Sequence, residues 1–127
     1  MIDYNKIFME LDHKEQLAEE FSVKIDSLEK FLREKKKEFR ISDQIYRSGT
    51  SIGAHIAEAK FAESTNDYIH KLAGAQKEGN ETLYWLRILY RTHYIDHELF
   101  SALYEEGEVI MRILSKIIKT LKDKDKK

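Results

Sequence analysis

Three pairs of residues in this chain have a spacing that a metal ion could use. Glu10 and His13 stand three apart, as do Asp67 and His70, and His93 and His97 stand four apart; on a helix each pair would share a face. A di-metal centre inside a helical bundle needs two Glu-x-x-His motifs and two further carboxylates, all turned inward at one level. Here Glu10 and His13 precede the long periodic segments, the second motif has aspartate in place of glutamate, and His93 and His97 straddle a turn signal. No matched ligand set results, no metal or cofactor is expected, and a metal-dependent bundle enzyme ranks last among the readings. Nucleophilic chemistry is no better served. Ser48, Ser51 and His55 fall inside one helical segment, without the strand-turn-helix elbow that presents a nucleophile. Gly49 and Gly53 lie in the same segment and cannot form a phosphate-cradling loop. No catalytic residue is assigned, and the chain is expected to be non-enzymatic.

Binding chemistry has better candidates. Arg33, Lys35, Lys36, Lys37 and Arg40 gather in one short stretch, which could meet phosphate groups as a nucleic-acid contact. A solvated helix end is the plainer reading of that run. Trp85, Tyr84 and Tyr68 could stack on bases, although aromatic residues at helical spacing more often fill a core or an oligomer interface. Arg47 lies 16 residues before a turn near residue 63, and Glu78 and Glu81 lie 15 and 18 after it. If two helices meet at that turn, Arg47 stands level with both carboxylates. An arginine so placed is read as a partly buried ion pair that fixes helix register, in preference to an RNA-phosphate contact.

The elements that position these residues are helices. Leu17, Phe21, Ile25, Leu28 and Leu32 alternate steps of three and four, which predicts a first helix from about Lys14 to Lys36. A second is predicted from Ser42 to about Phe61, with a stripe of Ile45, Ser48, Ile52, Ile56 and Ala59. It is rich in small residues on more than one side, which suggests close approach by more than one neighbour. Ser64 and Asp67 form an acidic variant of a capping box ahead of a third helix from about Thr65 to Arg91, apolar on two stripes. Asp96 is the expected cap of a fourth, carried by Leu99, Leu103, Ile110, Leu114, Ile117 and Leu121. Short connections make neighbouring helices antiparallel, so residues 14–122 predict an all-α, up-down-up-down four-helix bundle. Residues 1–13 form an N-terminal extension that either adds a turn of its own or lengthens the first helix, and 123–127 form a charged tail.

Composition agrees with that class. The 127 residues contain no proline and no cysteine, and 35% are charged with a net charge of only -1. Both signs are interspersed, as on solvated helix faces, without the basic surplus of a dedicated nucleic-acid binder. No apolar run approaches the roughly 18 residues of a membrane span, and no leader pattern precedes the first helix, so a cytoplasmic location is expected.

The stretch from Phe39 to Ala59 contains Gln44, Arg47, Ser48, Ser51, Ile52, Gly53, Ala54, Ile56, Glu58 and Ala59 in the order Gln-x-x-Arg-Ser-x-x-Ser-Ile-Gly-Ala-x-Ile-x-Glu-Ala, and the third helix carries Glu78-Gly79-Asn80-Glu81-Thr82-Leu83-Tyr84-Trp85. Together these resemble the four-helix-bundle family named for reading frames in intervening sequences of 23S rRNA genes, also called the S23 ribosomal protein family, over about residues 17–121. The resemblance implies a ring-like homopentamer and marks Gln44, Arg47, Ser48, Ser51, Glu58, Glu78, Glu81 and Trp85 as a structural signature. It implies no established activity. A similar branch, the accessory variability determinant of diversity-generating retroelements, works with a reverse transcriptase and RNA through a strongly basic surface. Two departures stand out here: His55 where asparagine is usual, and Gly79 where alanine is common. The expected role is a homo-oligomeric interaction scaffold, with a nucleic-acid-binding accessory protein as the alternative. The oligomer expectation rests on a count of faces, since one bundle core is not expected to use every small or apolar side of the second and third helices.

Overall fold

The computed structural model describes residues 1–125. Five helices follow one another: α1 (Tyr4–Glu10), α2 (His13–Lys35), α3 (Arg40–Ala59), α4 (Thr65–Arg91) and α5 (His97–Asp125). Among the described residues there is no strand. The four long helices pack in a closed cycle, α2 on α3, α3 on α4, α4 on α5 and α5 on α2. Phe21, Ile25 and Leu32 of α2, Ile45, Ile52 and Ile56 of α3, Leu72, Leu86 and Leu89 of α4, and Ile110 and Leu114 of α5 fill the space between them.

The helix starts follow from side chains that satisfy the free N–H groups of each first turn. Asp12 and Glu15 form a full capping box at α2, the Glu15 N–H donating to Asp12 Oδ1 at 3.0 Å and the Asp12 N–H to Glu15 Oε1 at 3.4 Å. At α4 the Asp67 N–H donates to Ser64 Oγ at 3.0 Å, but Asp67 reaches back one residue further than a capping box, accepting from the Glu63 N–H at 3.1 Å. At α5 the Leu99 N–H donates to Asp96 Oδ1 at 2.8 Å. The end of α4 turns on His93, whose φ of 68° is left-handed. That lets the Tyr94 N–H reach Leu89 O and the His93 N–H reach Tyr90 O, at 2.9 and 3.0 Å, a Schellman motif with histidine where glycine is usual.

Several boundaries differ from the sequence pattern, and the second predicted helix ends at Ala59, short of Phe61. Of the two alternatives for residues 1–13, the separate one is found: Tyr4–Glu10 form a helix of their own, because Leu11 is extended and Asp12 caps α2. The second predicted helix begins at Arg40 and not at Ser42, because the buried Glu38 carboxylate accepts from the Ser42 N–H at 2.8 Å and draws the preceding residues into the first turn. The last helix runs through Asp125, past the predicted end of the bundle at residue 122 and into the predicted charged tail; Lys126 and Lys127 lie outside the described residues.

Part of the count of faces is met inside the chain. An ideal Cβ on Gly49 would stand 2.9 Å from two carbons of Ile25 on α2, and one on Gly53 would meet Ser22 and Ala18 of the same helix. The neighbouring Ser48 instead meets Thr82 of α4, at 2.8 Å between hydroxyl oxygens. On α4 itself, Gly79 lies against Met111 of α5 while Gly74 lies against His55 of α3. The sides of α3 and α4 that carry Gly49, Gly53, Ser48, Gly74 and Gly79 are thus occupied within one chain, because each of these helices has two long neighbours, whereas Ala54 and Ala57 of α3 stay exposed.

Candidate functional site

The signature residues converge on the outer seam between α3 and α4. The Arg47 guanidinium donates to Glu78 Oε2 at 3.2 Å and to Glu81 Oε2. Glu81 also accepts from Trp85 Nε1 at 3.0 Å, and Tyr84 stands edge-on to Trp85 with ring centres 5.0 Å apart. Burial pushes the Glu81 carboxyl up, but the Trp85 N–H and Arg47 outweigh it and hold the group below the usual carboxylate range. In return the Glu81 bond keeps Arg47 more firmly protonated. Beneath this layer the Thr82 and Ser48 hydroxyls meet, both fully buried. The Arg47 side chain is 50% exposed, against 34% for Glu81 and 17% for Glu78. It is a rim group and not the partly buried one expected, since the hydroxyl pair fills the seam below it.

Not every signature residue joins that cluster. Ser51 turns its hydroxyl to Arg47 O at 2.6 Å along its own helix. Gln44 and Glu58 are exposed on α3, and Glu58 borders a shallow recess with Phe61, Glu63, Asp67 and Lys71. The cluster binds two helices to each other; it has the geometry of a register clamp.

The basic candidates share one end of the molecule. Lys35, Lys36, Lys37 and Arg40 are exposed around the α2–α3 connection. Arg33 is paired with Glu29 at 3.3 Å and lies over the Phe39 ring at 5.2 Å. Lys36 stands 5.8 Å above Phe31 and borders a recess that also includes Tyr90, Arg91, His93 and Tyr94. The sequence reading missed Arg91 and His93 as members of this surface. They join it because the α2–α3 and α4–α5 connections lie at the same end of the molecule, a signal available only by pairing alternate turns.

The metal candidates stay apart. Glu10 and His13 flank the break between α1 and α2, Asp67 is engaged at the start of α4, and His97 lies beside Tyr90 and Ser101 at the start of α5. Among the described residues no three His, Asp or Glu side chains are placed to share a metal ion. No helix among them is long and apolar enough to cross a membrane.

Two apolar surfaces stand out as exposed among the described residues. Tyr46, Thr50, Ala54, Ala57 and Phe61 follow one another at steps of four and three along the outward side of α3 and just beyond it. They carry no charge over about four turns, and Tyr46 and Phe61 are 41% and 85% exposed. The other surface is α1, in which no residue is buried although Tyr4, Ile7, Phe8 and Met9 are apolar.

Comparisons with known proteins bear on the long helices. No curated protein matches the chain. A crystal structure of a protein of unknown function from the S23 ribosomal protein family of Bacteroides thetaiotaomicron superposes with a TM-score of 0.83 at 48% sequence identity, covering 84% of this chain and 98% of that one. Residues 14–116 match the family of the 23S rRNA-intervening sequence protein. The chain belongs to the 23S rRNA-intervening sequence protein family.

Proposed function

We propose that this protein is a non-catalytic, homo-oligomeric interaction scaffold of the cytoplasm. In this reading α2 to α5 form an antiparallel, up-down-up-down four-helix bundle, and copies of the bundle meet along the outer side of α3, five to a ring as the family resemblance implies. The observation that carries it is the uncharged strip from Tyr46 to Phe61. In a chain with 35% charged residues, a helix face turned to water should carry charge. Small residues flanked by two aromatic rings suit a closely approaching helix. Light scattering tests this directly. The 15.1 kDa chain should elute at a multiple of that mass, and Ala57→Lys should shift it toward the monomer with its helical signal intact. A wild-type monomer at micromolar concentration would overturn the scaffold reading.

A second reading draws on a different surface. Lys36, Arg91 and His93 stand around one recess with Tyr90 and Tyr94, beside Lys35, Lys37 and Arg40. Cations among aromatic faces suit a nucleic-acid strand, and a ring of copies would multiply a weak contact. Filter retention of structured RNA or DNA is expected at about 20 mM salt, falling steeply by about 200 mM as phosphate contacts are screened. Lys36→Glu with Lys37→Glu should abolish it. No retention of either nucleic acid at low salt would remove this reading.

A further inference from the structure

Helix α1 lies ahead of the stretch 14–116 that matches the family, so its role must be read from this chain. Every residue from Met1 to Glu10 is exposed, and Ile2, Tyr4, Ile7, Phe8 and Met9 keep between 47% and 81% of their surface in water. The helix is nonetheless tethered. Gln16 Nε2 donates to Phe8 O at 3.3 Å and to Leu11 O at 2.8 Å, and only Leu11 and Asp12 separate it from α2, with Asp12 fixed in its capping box. It is therefore held at the start of α2 with its apolar side chains in water.

We infer that α1 is an arm that covers the Ala57–Phe61 end of the uncharged α3 face on a second copy of this chain. The inference rests on the scaffold reading above and names the contact that closes it. Height supports the pairing. Lys60 Nζ meets Glu15 Oε2 at 2.9 Å, which ties the end of α3 to the beginning of α2, so α1 and Phe61 flank the same end of one molecule. Copies related by rotation about an axis along the helices present that end at one level, and a head-to-tail contact of this kind closes a ring. Area supports it as well. A large aromatic side chain offers roughly 150–250 Å², so on that scale Ile2 and the four α1 side chains Tyr4, Ile7, Phe8 and Met9 present on the order of 600 Å² at their observed exposures. Tyr46 and Phe61 add on the order of 300 Å² by the same measure. With the small residues between them this approaches the roughly 1,200 Å² at which specific interfaces begin.

The chain has no cysteine, so paired thiols can be placed at will. Full-length protein carrying both Phe8→Cys and Phe61→Cys, treated with a short bismaleimide, should give a ladder of covalent multimers. Each single variant alone should give none. Ile7→Asp with Phe8→Asp should weaken assembly at least tenfold. A wild-type multimer with no ladder from the double variant would overturn the arm and leave the scaffold reading standing; a wild-type monomer would overturn both. Dimers from Phe8→Cys alone would mean that α1 pairs with α1. Co-sedimentation with phosphatidylglycerol vesicles, lost in Ile7→Asp with Phe8→Asp and without any ladder, would mean a lipid-seeking helix. Either result overturns the proposal.

Discussion

Replacing Gly49 with valine is expected to lower stability by about 3 kcal/mol, at the upper end of overpacking costs. At this chain length that corresponds to a melting temperature roughly 10 °C lower. An ideal Cβ at Gly49 already stands 2.9 Å from Cγ1 and Cγ2 of Ile25 and 3.3 Å from its Cβ. Ile25 is fully buried, and a β-branched side chain in a helix has one strongly preferred rotamer, so it has nowhere to move. Gly49→Ala should cost less, about 1 kcal/mol, because alanine regains about 1 kcal/mol of helix propensity. Gly79 makes the useful contrast. The atoms that a Cβ would meet there, at 2.1 and 2.3 Å, are Cε and Sδ of Met111. These are the far end of an adaptable side chain, so Gly79→Ala should stay within about 1 kcal/mol of the wild type once the propensity gain is included. The packing claim is tested by a double-mutant cycle in urea. Ile25→Ala alone should cost about 2–5 kcal/mol, and Gly49→Val with Ile25→Ala should cost at least about 1 kcal/mol less than the two separately. Additive losses would mean that α2 and α3 do not approach through this glycine.

The same pair of residues shows what could be read in advance. Apolar side chains at steps of three and four identify each long helix without reference to its neighbours, since the period belongs to the helix itself. The caps at Ser64 and Asp96 were legible for the same local reason. The face that Gly49 serves was not. Residue size along a helix reports how closely something approaches, but not whether it belongs to the same chain. The level of Arg47 with Glu78 and Glu81 followed from counting outward from one turn. Its depth did not, because that depends on the Ser48–Thr82 hydroxyl pair filling the seam beneath it. The recess shared by Lys36, Arg91 and His93 joins residues from two separate connections, which single-segment patterns do not bring together.

Glu38 carries the second large effect and was the least legible residue of all. In the sequence it stands in a run of cations, Lys35-Lys36-Lys37-Glu38-Phe39-Arg40, that reads as a solvated connection. In the structure it is only 6% exposed. Lys37, at φ 55°, turns the chain so that the Glu38 N–H meets Leu32 O at 2.9 Å and the carboxylate points inward to the Ser42 N–H. Phe39, the N-cap residue of α3, supplies no side-chain acceptor, so this carboxylate both satisfies a first-turn N–H and places negative charge at the positive end of the helix dipole. Glu38→Ala should therefore cost about 2–3 kcal/mol, combining the loss of a cap with a buried donor left unsatisfied. Glu38→Gln keeps an acceptor and should lose about 1 kcal/mol, the charge-assisted part of the bond. Urea denaturation measures both. Under the proposed assembly the consequence reaches beyond stability, because the start of α3 would set how its outer side faces a second copy. In Glu38→Ala the first turn of α3 should exchange amide hydrogens faster while Ile52 and Ile56 stay protected, and assembly should weaken together with that turn. If Glu38→Ala unfolds at the same urea concentration as the wild type, the loop and not the carboxylate decides where α3 begins.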